Sequence, residues 1–290
     1  MNPQVSVVIV TYNSRDCVGD LLGSMHSHTR GIEYETIIVD NASSDGTPDA
    51  VTGAYPWARV LRRARNDGLS AAVNDGVRGS TGRYVAVLNP DIRLDSDALT
   101  ELASYLERND DVGVAAPRLL DDDGTLQLSC RAFPGYATAI FSRYSLLTRL
   151  FPGNRFSRRY MMSGFDHART ADVDWVSGAA MMFPRAVFDA LGGWDPRFFL
   201  FSEDVDFCKR VHDAGKRVIY HPAATLYHRI GISRRPAPRI IIERHRSMWR
   251  YYRKHLRRNV AVDAVTGAGI VARCLLVLGA HYAGRIVAPR

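Results

Sequence analysis

The chain opens on short apolar runs separated by polar segments with helical spacing. Residues 5–10 are a β-branched run ending at Thr11-Tyr12-Asn13, and 15–27 then place Cys17, Val18, Leu21, Leu22 and Met25 on one helical face. Residues 36–39 form a second run stopped by Asp40-Asn41, and Asp45-Gly46-Thr47-Pro48 reads as a turn opening another helix. A weaker strand at 58–61, a helix at 69–77 and a strand at 84–88, stopped by Asn89-Pro90-Asp91, complete this part. Runs that are apolar throughout belong to strands covered on both faces, and strand–helix alternation implies crossovers between parallel strands. Ligands of such sheets bind beyond the carboxyl ends of the strands. Asn13, Asp40 and Asp91 fall there.

The second half has a different grain. Residues 119–129 hold an Asp-Asp-Asp-Gly turn between extended segments; 173–183, 217–220 and 225–228 read as strands, and 187–191 and 204–214 as helices. Residues 131–170 are aromatic and loop-rich, with no element assigned. The expected fold class is α/β: a mixed, mostly parallel Rossmann-like sheet flanked by helices over residues 1–228, followed by a basic helical tail over 229–290.

Charge sharpens that division. The 290 residues carry a net charge of +8, which by itself invites a nucleic-acid reading. Yet residues 1–228 hold 24 Lys and Arg against 28 Asp and Glu, whereas 229–290 hold 14 against 2. The body is mildly acidic and the tail is +12, so no nucleic-acid partner is expected. The tail calls for an anionic surface instead. Its aromatic residues Trp249, Tyr251 and Tyr252 are interleaved with the basic ones, which suits a helix lying in the interface of an anionic membrane. A solvated helical pair packed on the body is the other reading. The apolar stretch 274–284 is eleven residues, short of the roughly 20 that span a bilayer. The four cysteines lie far apart, without metal-site or disulfide spacing. With no basic region ahead of the first strand, no secretory signal is expected and the cytoplasmic side is the default.

Four features carry candidate chemistry. Asp40, ending the second run, is placed to accept from a base imide or ribose hydroxyl, although Asx residues also favour turns. No GxGxxG follows the first run, so a dinucleotide cradle is not expected. Asn89-Pro90-Asp91 offers one carboxylate and an amide, a set that suits Mg²⁺ shared with substrate phosphates; the tripeptide is also a good turn. Glu203, Asp204 and Asp206 crowd a helix start, where the dipole favours negative charge and a rim carboxylate can act as general base. His228 ends a strand and is either structural or a nitrogen ligand beside carboxylates.

Together these residues resemble the inverting family-2 glycosyltransferases of the GT-A fold, closest to the rhamnosyltransferase-like branch. The motifs are VSVVIVTYNS (5–14), IIVDNASSDGT (37–47), RNDGLSAAVNDG (65–76), VLNPD (87–91), VSGAAMMFPRAVFDALGGWDPRFF (176–199) and FSEDVDFCKRVHDAGKRVIYHPAATLYH (201–228). The resemblance implies that Thr11, Tyr12, Asn13 and Asp40 line the nucleotide, and that Asn66, Gly68, Asn74 and Asn89 border the donor site. It puts Asp91 and His228 on a divalent cation, Mg²⁺ or Mn²⁺, with Asn89 standing where the family's first metal-motif Asp usually stands. It makes Asp204 the catalytic base with Glu203 beside it, and places Trp175, Ser177 and Gly178 on the acceptor side. The implied donor is a nucleotide sugar, dTDP-L-rhamnose foremost and a UDP-sugar next. The implied acceptor is a lipid-linked glycan precursor at the cytoplasmic membrane face. A non-catalytic carbohydrate- or nucleotide-binding homologue is the reading from another class.

Overall fold

A computed structural model describes residues 3–135, 155–229 and 237–287. The apolar runs form β1 (Val5–Thr11), β2 (Tyr34–Asp40), β3 (Ala58–Arg62) and β4 (Tyr84–Leu88), all parallel, with β1 between β2 and β4. Between them run α1 (Arg15–His28), α2 (Thr47–Ala54) and α3 (Leu69–Arg78). The chain winds outward to β3 and then returns across β1 to β4, which opens a crevice beyond the carboxyl ends of β1 and β4.

After the two-residue β5 (Ile92–Arg93) come α4 (Ala98–Arg108) and β6 (Val112–Leu120). Neither α4 nor β6 has a counterpart in the sequence reading. Asp97 caps α4 by accepting from the Thr100 N–H, and its Leu99, Leu102, Ala103 and Leu106 are buried. Short strands β7 (Leu126–Gln127), β8 (Cys130–Arg131), β9 (Ala171–Asp172) and β10 (Trp175–Val176) follow, with α5 (Arg155–Met161) before β9. Then come β11 (Ala180–Pro184), α6 (Arg185–Ala190), α7 (Glu203–Asp213) and β12 (Arg217–His228). The main sheet runs β3-β2-β1-β4-β11-β6-β12-β5. β11 is antiparallel to β4 and β6, while β12 is parallel to β6.

Two differences from the sequence expectation have physical causes. The single strand expected over 173–183 is split, because at Ser177-Gly178 the backbone leaves the main ladder: Ser177 N–H donates to Ser129 O (2.8 Å) and Gly178 N–H to Asp204 Oδ2 (2.9 Å). Conversely, the two strands expected at 217–220 and 225–228 are one, carried across a register shift between His221 and Thr225.

Side chains alternate across β1 to feed two cores. Val5, Val7 and Ile9 pack with α1, α2 and α4, whereas Val8 packs with α3, α6 and α7 through Ala72, Val73, Phe188, Phe207 and Val211. The result is a three-layer α/β/α body. Of the segment 131–170, residues 136–154 lie outside the described residues.

The tail continues as α8 (Pro238–Tyr251), a π-turn at Tyr252–Leu256 and α9 (Val260–Val287). Here the expectation of too short an apolar stretch needs correcting. Val260–Ala283 is a 24-residue segment long and apolar enough, by length and composition, to cross a membrane. A count of uninterrupted apolar residues misses it because the interruptions face inward: Asp263 and His281 are buried and Arg273 is partly so. Every exposed position from Val260 to Ala283 is Ala, Val, Leu, Gly or Tyr, with Val265 and Leu276 each 75% exposed. The helix is thus polar toward the protein and apolar toward its surroundings, the reverse of a soluble surface helix. It is a single apolar element able to mediate association with a membrane.

Candidate functional site

The carboxyl ends of β1 and β2 meet in register at Thr11 and Asp40. Thr11 Oγ1 donates to Asp40 Oδ1 (2.9 Å) and the Ser43 N–H to Asp40 Oδ2 (3.0 Å), so the buried Asp40 carboxylate is braced by its own loop. Tyr12 projects outward, 53% exposed. Asn13 is left-handed (φ 53°) and accepts from the Ser44 N–H through Oδ1 (2.8 Å), which folds the β1 loop onto the β2 loop.

Beside them a polar chain orders the entry to α3. Asn66 Oδ1 accepts from Asn41 Nδ2 (2.9 Å) and from the Gly68 N–H (3.0 Å), and Arg63 donates to Asn41 Oδ1 (3.1 Å). Gly68 has φ 96°, and a Cβ there would sit 2.4 Å from Phe199 O, so only glycine fits. Asn74 is committed elsewhere: its amide exchanges two bonds with the Trp194 backbone (2.7 and 2.9 Å). It therefore holds the Gly193-Trp194 turn against α3.

A further pairing joins residues far apart in sequence. β5 pairs antiparallel with the end of β12, placing His228 opposite Ile92, and the Arg229 N–H donates to Asp91 O (3.0 Å). His228 Nε2 then lies 3.3 Å from Asp91 Oδ1, an oxygen that is buried and without a hydrogen-bond partner. The other ring nitrogen, Nδ1, is 2.9 Å from Gln127 Oε1. Gln127 cannot turn its amide, because Nε2 already donates to Asp121 Oδ1 (2.7 Å) and His228 O (2.6 Å). Nδ1 therefore carries a proton, and the ring is held with Nε2 facing the carboxylate oxygen. With a proton on Nε2 the two groups form an ion pair; without it a nitrogen lone pair and a carboxylate oxygen face the same point. A carboxylate oxygen and an imidazole nitrogen, on a ring braced by an outer hydrogen bond, are ligand types that divalent cations take. Asn89 lies on the same turn, half-buried, its N–H bonded to Ala179 O (2.8 Å).

The other wall is the N-terminus of α7. Phe201 and Ser202 precede it with φ 69° and 66°, two consecutive non-glycine residues in the left-handed region, each costing on the order of 1–3 kcal/mol. Asp204 Oδ2 accepts from the Gly178 N–H (2.9 Å) and Oδ1 from the Val205 N–H (2.8 Å). Burial raises the Asp204 pKa, opposed by those two N–H groups and the Arg131 charge. Burial also pushes Glu203 well above the usual carboxylate range, with the adjacent Asp204 charge adding to it. Glu203 Oε2 is buried without a hydrogen-bond partner, whereas both Asp204 oxygens accept from backbone N–H groups, so negative charge is better supported on Asp204 than on Glu203. Gly178 is where a Cβ would approach Asp204 Cβ to 3.3 Å, which ties the β10–β11 connection to the carboxylate. Behind it the Trp175 ring is buried, donates from Nε1 to Ala132 O (2.8 Å) and lies under the Arg131 guanidinium. Ser177 Oγ accepts from the Ala179 N–H (3.3 Å).

The structure thus brings Thr11, Asn13 and Asp40 together at one strand-end loop, Asn66 and Gly68 at the next, Asp91 with His228, and Asp204 with Gly178. Gln127, Asn41 and Arg131 escape sequence reasoning. Each acts through a partner at least 22 residues away, and no local pattern marks them.

The profile of Glycosyl transferase family 2 matches residues 6–170, and the chain belongs to that family. Over 273 residues the chain is 28% identical to an N-acetylglucosaminyl-diphospho-decaprenol L-rhamnosyltransferase of Mycobacterium tuberculosis H37Rv, covering 86% of this chain and 88% of that one. A rhamnosyltransferase of Escherichia coli K12 is 25% identical over 235 residues, covering 77% of this chain and 83% of its own. Among solved structures, a mannosyltransferase from Pyrobaculum calidifontis in complex with GDP-Man and Mn²⁺ superposes with a TM-score of 0.61 at 18% identity, over 100% of this chain and 82% of that one. That last likeness is one of fold, and the fold is GT-A. The general activity that goes with this family is glycosyl transfer from a nucleotide-sugar donor.

Proposed function

We propose that the protein is an inverting, divalent-cation-dependent glycosyltransferase that moves L-rhamnose from dTDP-L-rhamnose onto a lipid-linked diphosphate glycan precursor. The observation that carries the metal-dependent reading is the Asp91–His228 pair, with Nε2 3.3 Å from Asp91 Oδ1 and the ring braced from behind by Gln127. Asp91 and His228 would hold Mg²⁺ or Mn²⁺, with the substrate diphosphate and water completing the shell. Bound there, the cation supplies Lewis-acid stabilisation of the departing nucleoside diphosphate. Thr11, Tyr12, Asn13 and Asp40 line the nucleotide; Asn66, Gly68 and Asn89 border the sugar diphosphate, and Asn74 shapes that border through the Trp194 turn.

Asp204 is the general base. Its raised pKa brings it closer to the working pH than an exposed aspartate, and the Gly178 and Val205 N–H groups fix its aim. It takes the acceptor hydroxyl proton while that oxygen attacks the anomeric carbon from the side opposite the diphosphate, which inverts the centre. Protonated Glu203 beside it adds no second charge. Trp175, Ser177 and Gly178 form the acceptor side. The rhamnosyl donor and the lipid-diphosphate acceptor are supported by the names of the two relatives above.

Residues 1–228 are the catalytic domain and 229–290 the membrane-association segment, on the cytoplasmic face. The outward apolar face of α9 supports this, as do the basic residues preceding it.

A donor screen decides the activity. Purified protein, Mg²⁺ or Mn²⁺, a decaprenyl-diphosphate-linked sugar and a panel of dTDP-, UDP- and GDP-sugars should yield transfer from dTDP-L-rhamnose with an inverted anomeric product. Transfer from a UDP-sugar alone would replace the donor assignment, and neither transfer nor donor hydrolysis under any condition would remove the enzymatic reading. Co-flotation with anionic vesicles, lost on removal of residues 257–290, tests the membrane assignment; equal flotation of the shortened chain refutes it.

A further inference from the structure

The tail grips the catalytic body through the π-turn. Lys254, in the π-turn, puts Nζ 2.8 Å from Asp195 Oδ2 and 2.7 Å from Asp206 Oδ1. Its neighbour His255 puts Nε2 2.7 Å from the same Asp206 oxygen. Asp206 is fully buried, and its other oxygen accepts from Arg210 Nε (2.9 Å). Asp195 and Asp206 bracket the turn that carries Phe201, Ser202, Glu203 and Asp204, so one ammonium closes both ends of that turn.

The tail also touches the turn along its length. Ser247 donates to Leu200 O (2.8 Å), Arg244 lies over the Phe201 ring (4.4 Å) and Arg239 over Phe199 (5.0 Å). On the opposite side the same turn meets the donor-site loop, where the Leu69 N–H donates to Phe199 O (2.7 Å). α9 is tied into the grip, since Asp263 accepts from Tyr252 OH (2.8 Å) and Arg257 Nε (3.0 Å). A backbone held left-handed at two consecutive non-glycine residues persists only when its surroundings over-determine it. Here much of that surrounding structure is supplied by the tail.

We propose that Lys254 and His255 are positioning residues which, through Asp206 and Asp195, hold the Phe201-Ser202 turn so that the Asp204 carboxylate and the Gly68–Leu69 loop keep their catalytic placement. The tail then has a role in turnover separate from any lipid contact. The role in turnover rests on the glycosyltransferase reading; the mechanical grip does not.

The test uses full-length Lys254→Met, Lys254→Arg and the double variant Lys254→Met/His255→Phe. Hydrogen exchange followed by mass spectrometry reads the grip, and steady-state transfer reads its consequence. In the Met and double variants, amides of 198–206 should exchange at least tenfold faster while those of β1 and β2 stay unchanged. Their kcat should fall at least tenfold with donor KM within twofold, and Lys254→Arg should recover most of both. Unchanged exchange in 198–206 overturns the proposal, as does faster exchange with unaltered kcat, or a loss spread evenly over exchange, KM and melting temperature. Should the wild type transfer no sugar, the activity reading fails by itself while the exchange measurement still decides the grip.

Discussion

Replacing Gln127 by leucine removes the group that braces His228 Nδ1 while leaving Asp91 and His228 chemically intact. Gln127 makes three hydrogen bonds of 2.6–2.9 Å, to Asp121, His228 O and His228 Nδ1. Without them Nδ1 loses its acceptor, and the ring loses the hydrogen bond that holds Nε2 toward Asp91. Losing an outer-shell partner of this kind typically weakens metal binding about 10–100-fold, or about 1.4–2.7 kcal/mol. Gln127→Glu should be at least as damaging, because a carboxylate cannot donate to Asp121 or to the His228 carbonyl and sets two acceptors against them. The assay is Mn²⁺ affinity in the presence of nucleoside diphosphate, by calorimetry or electron paramagnetic resonance. Nitrogen NMR of His228 in metal-free protein is the companion reading: the wild type should show a protonated Nδ1, and the leucine variant a mixture. Wild-type Mn²⁺ affinity in Gln127→Leu, or a wild type protonated only at Nε2, would refute the reasoning.

Three further outcomes are expected. Asp204→Asn should lower kcat by about 10³-fold or more while nucleotide affinity changes less than about threefold, since a base contributes to proton transfer rather than to donor binding; wild-type turnover would remove Asp204 from the role. Glu203 has a raised pKa in the folded state, so its neutral form contributes stability that is complete below the unfolded glutamate pKa and lost as pH rises through the folded value. Glu203→Gln should therefore raise the melting temperature more at pH 8 than at pH 4, and an equal shift at both would count against a buried, protonated Glu203. Asn74→Leu breaks both bonds to the Trp194 backbone and strands a buried N–H and carbonyl, at a cost of about 2–4 kcal/mol in chemical denaturation; a loss of nucleotide affinity with no loss of stability would instead place the amide in the donor site.

How far the chain alone could be read depends on which interactions are local. Continuous β-branched runs with Asx or Pro stops mark strands β1, β2 and β4 because burial on both faces leaves nothing to alternate. The positions just past those stops are ligand-facing in any parallel sheet, so Asp40 and Asp91 are legible as candidates. The acidic start of α7 is legible too, because helical spacing after Asp204 is a short-range pattern. Strand β6 and helix α4 are not, as Val112–Leu120 carries Gly113 and Pro117 within its run, which argue locally against a central strand, and its burial depends on β11 and β12 closing around it.

What amino-acid order by itself determined is the α/β class, the strand ends that face the crevice, the six family motifs and the separation of an acidic body from a +12 tail. Tertiary structure alone decided which of those residues share a site and what each can do there. Asp91 and His228 become a pair through the β5–β12 bridge, and the His228 ring is oriented through Gln127, 101 residues away. Asn74, legible as a polar residue near the crevice, is spent on Trp194 by contact across 120 residues. Asp263, Arg273 and His281 read as breaks in a membrane helix until packing turns them toward the protein. Local propensity and burial are written in neighbouring residues; hydrogen-bond partners and the side a helix presents are set by closure of the chain over long separations.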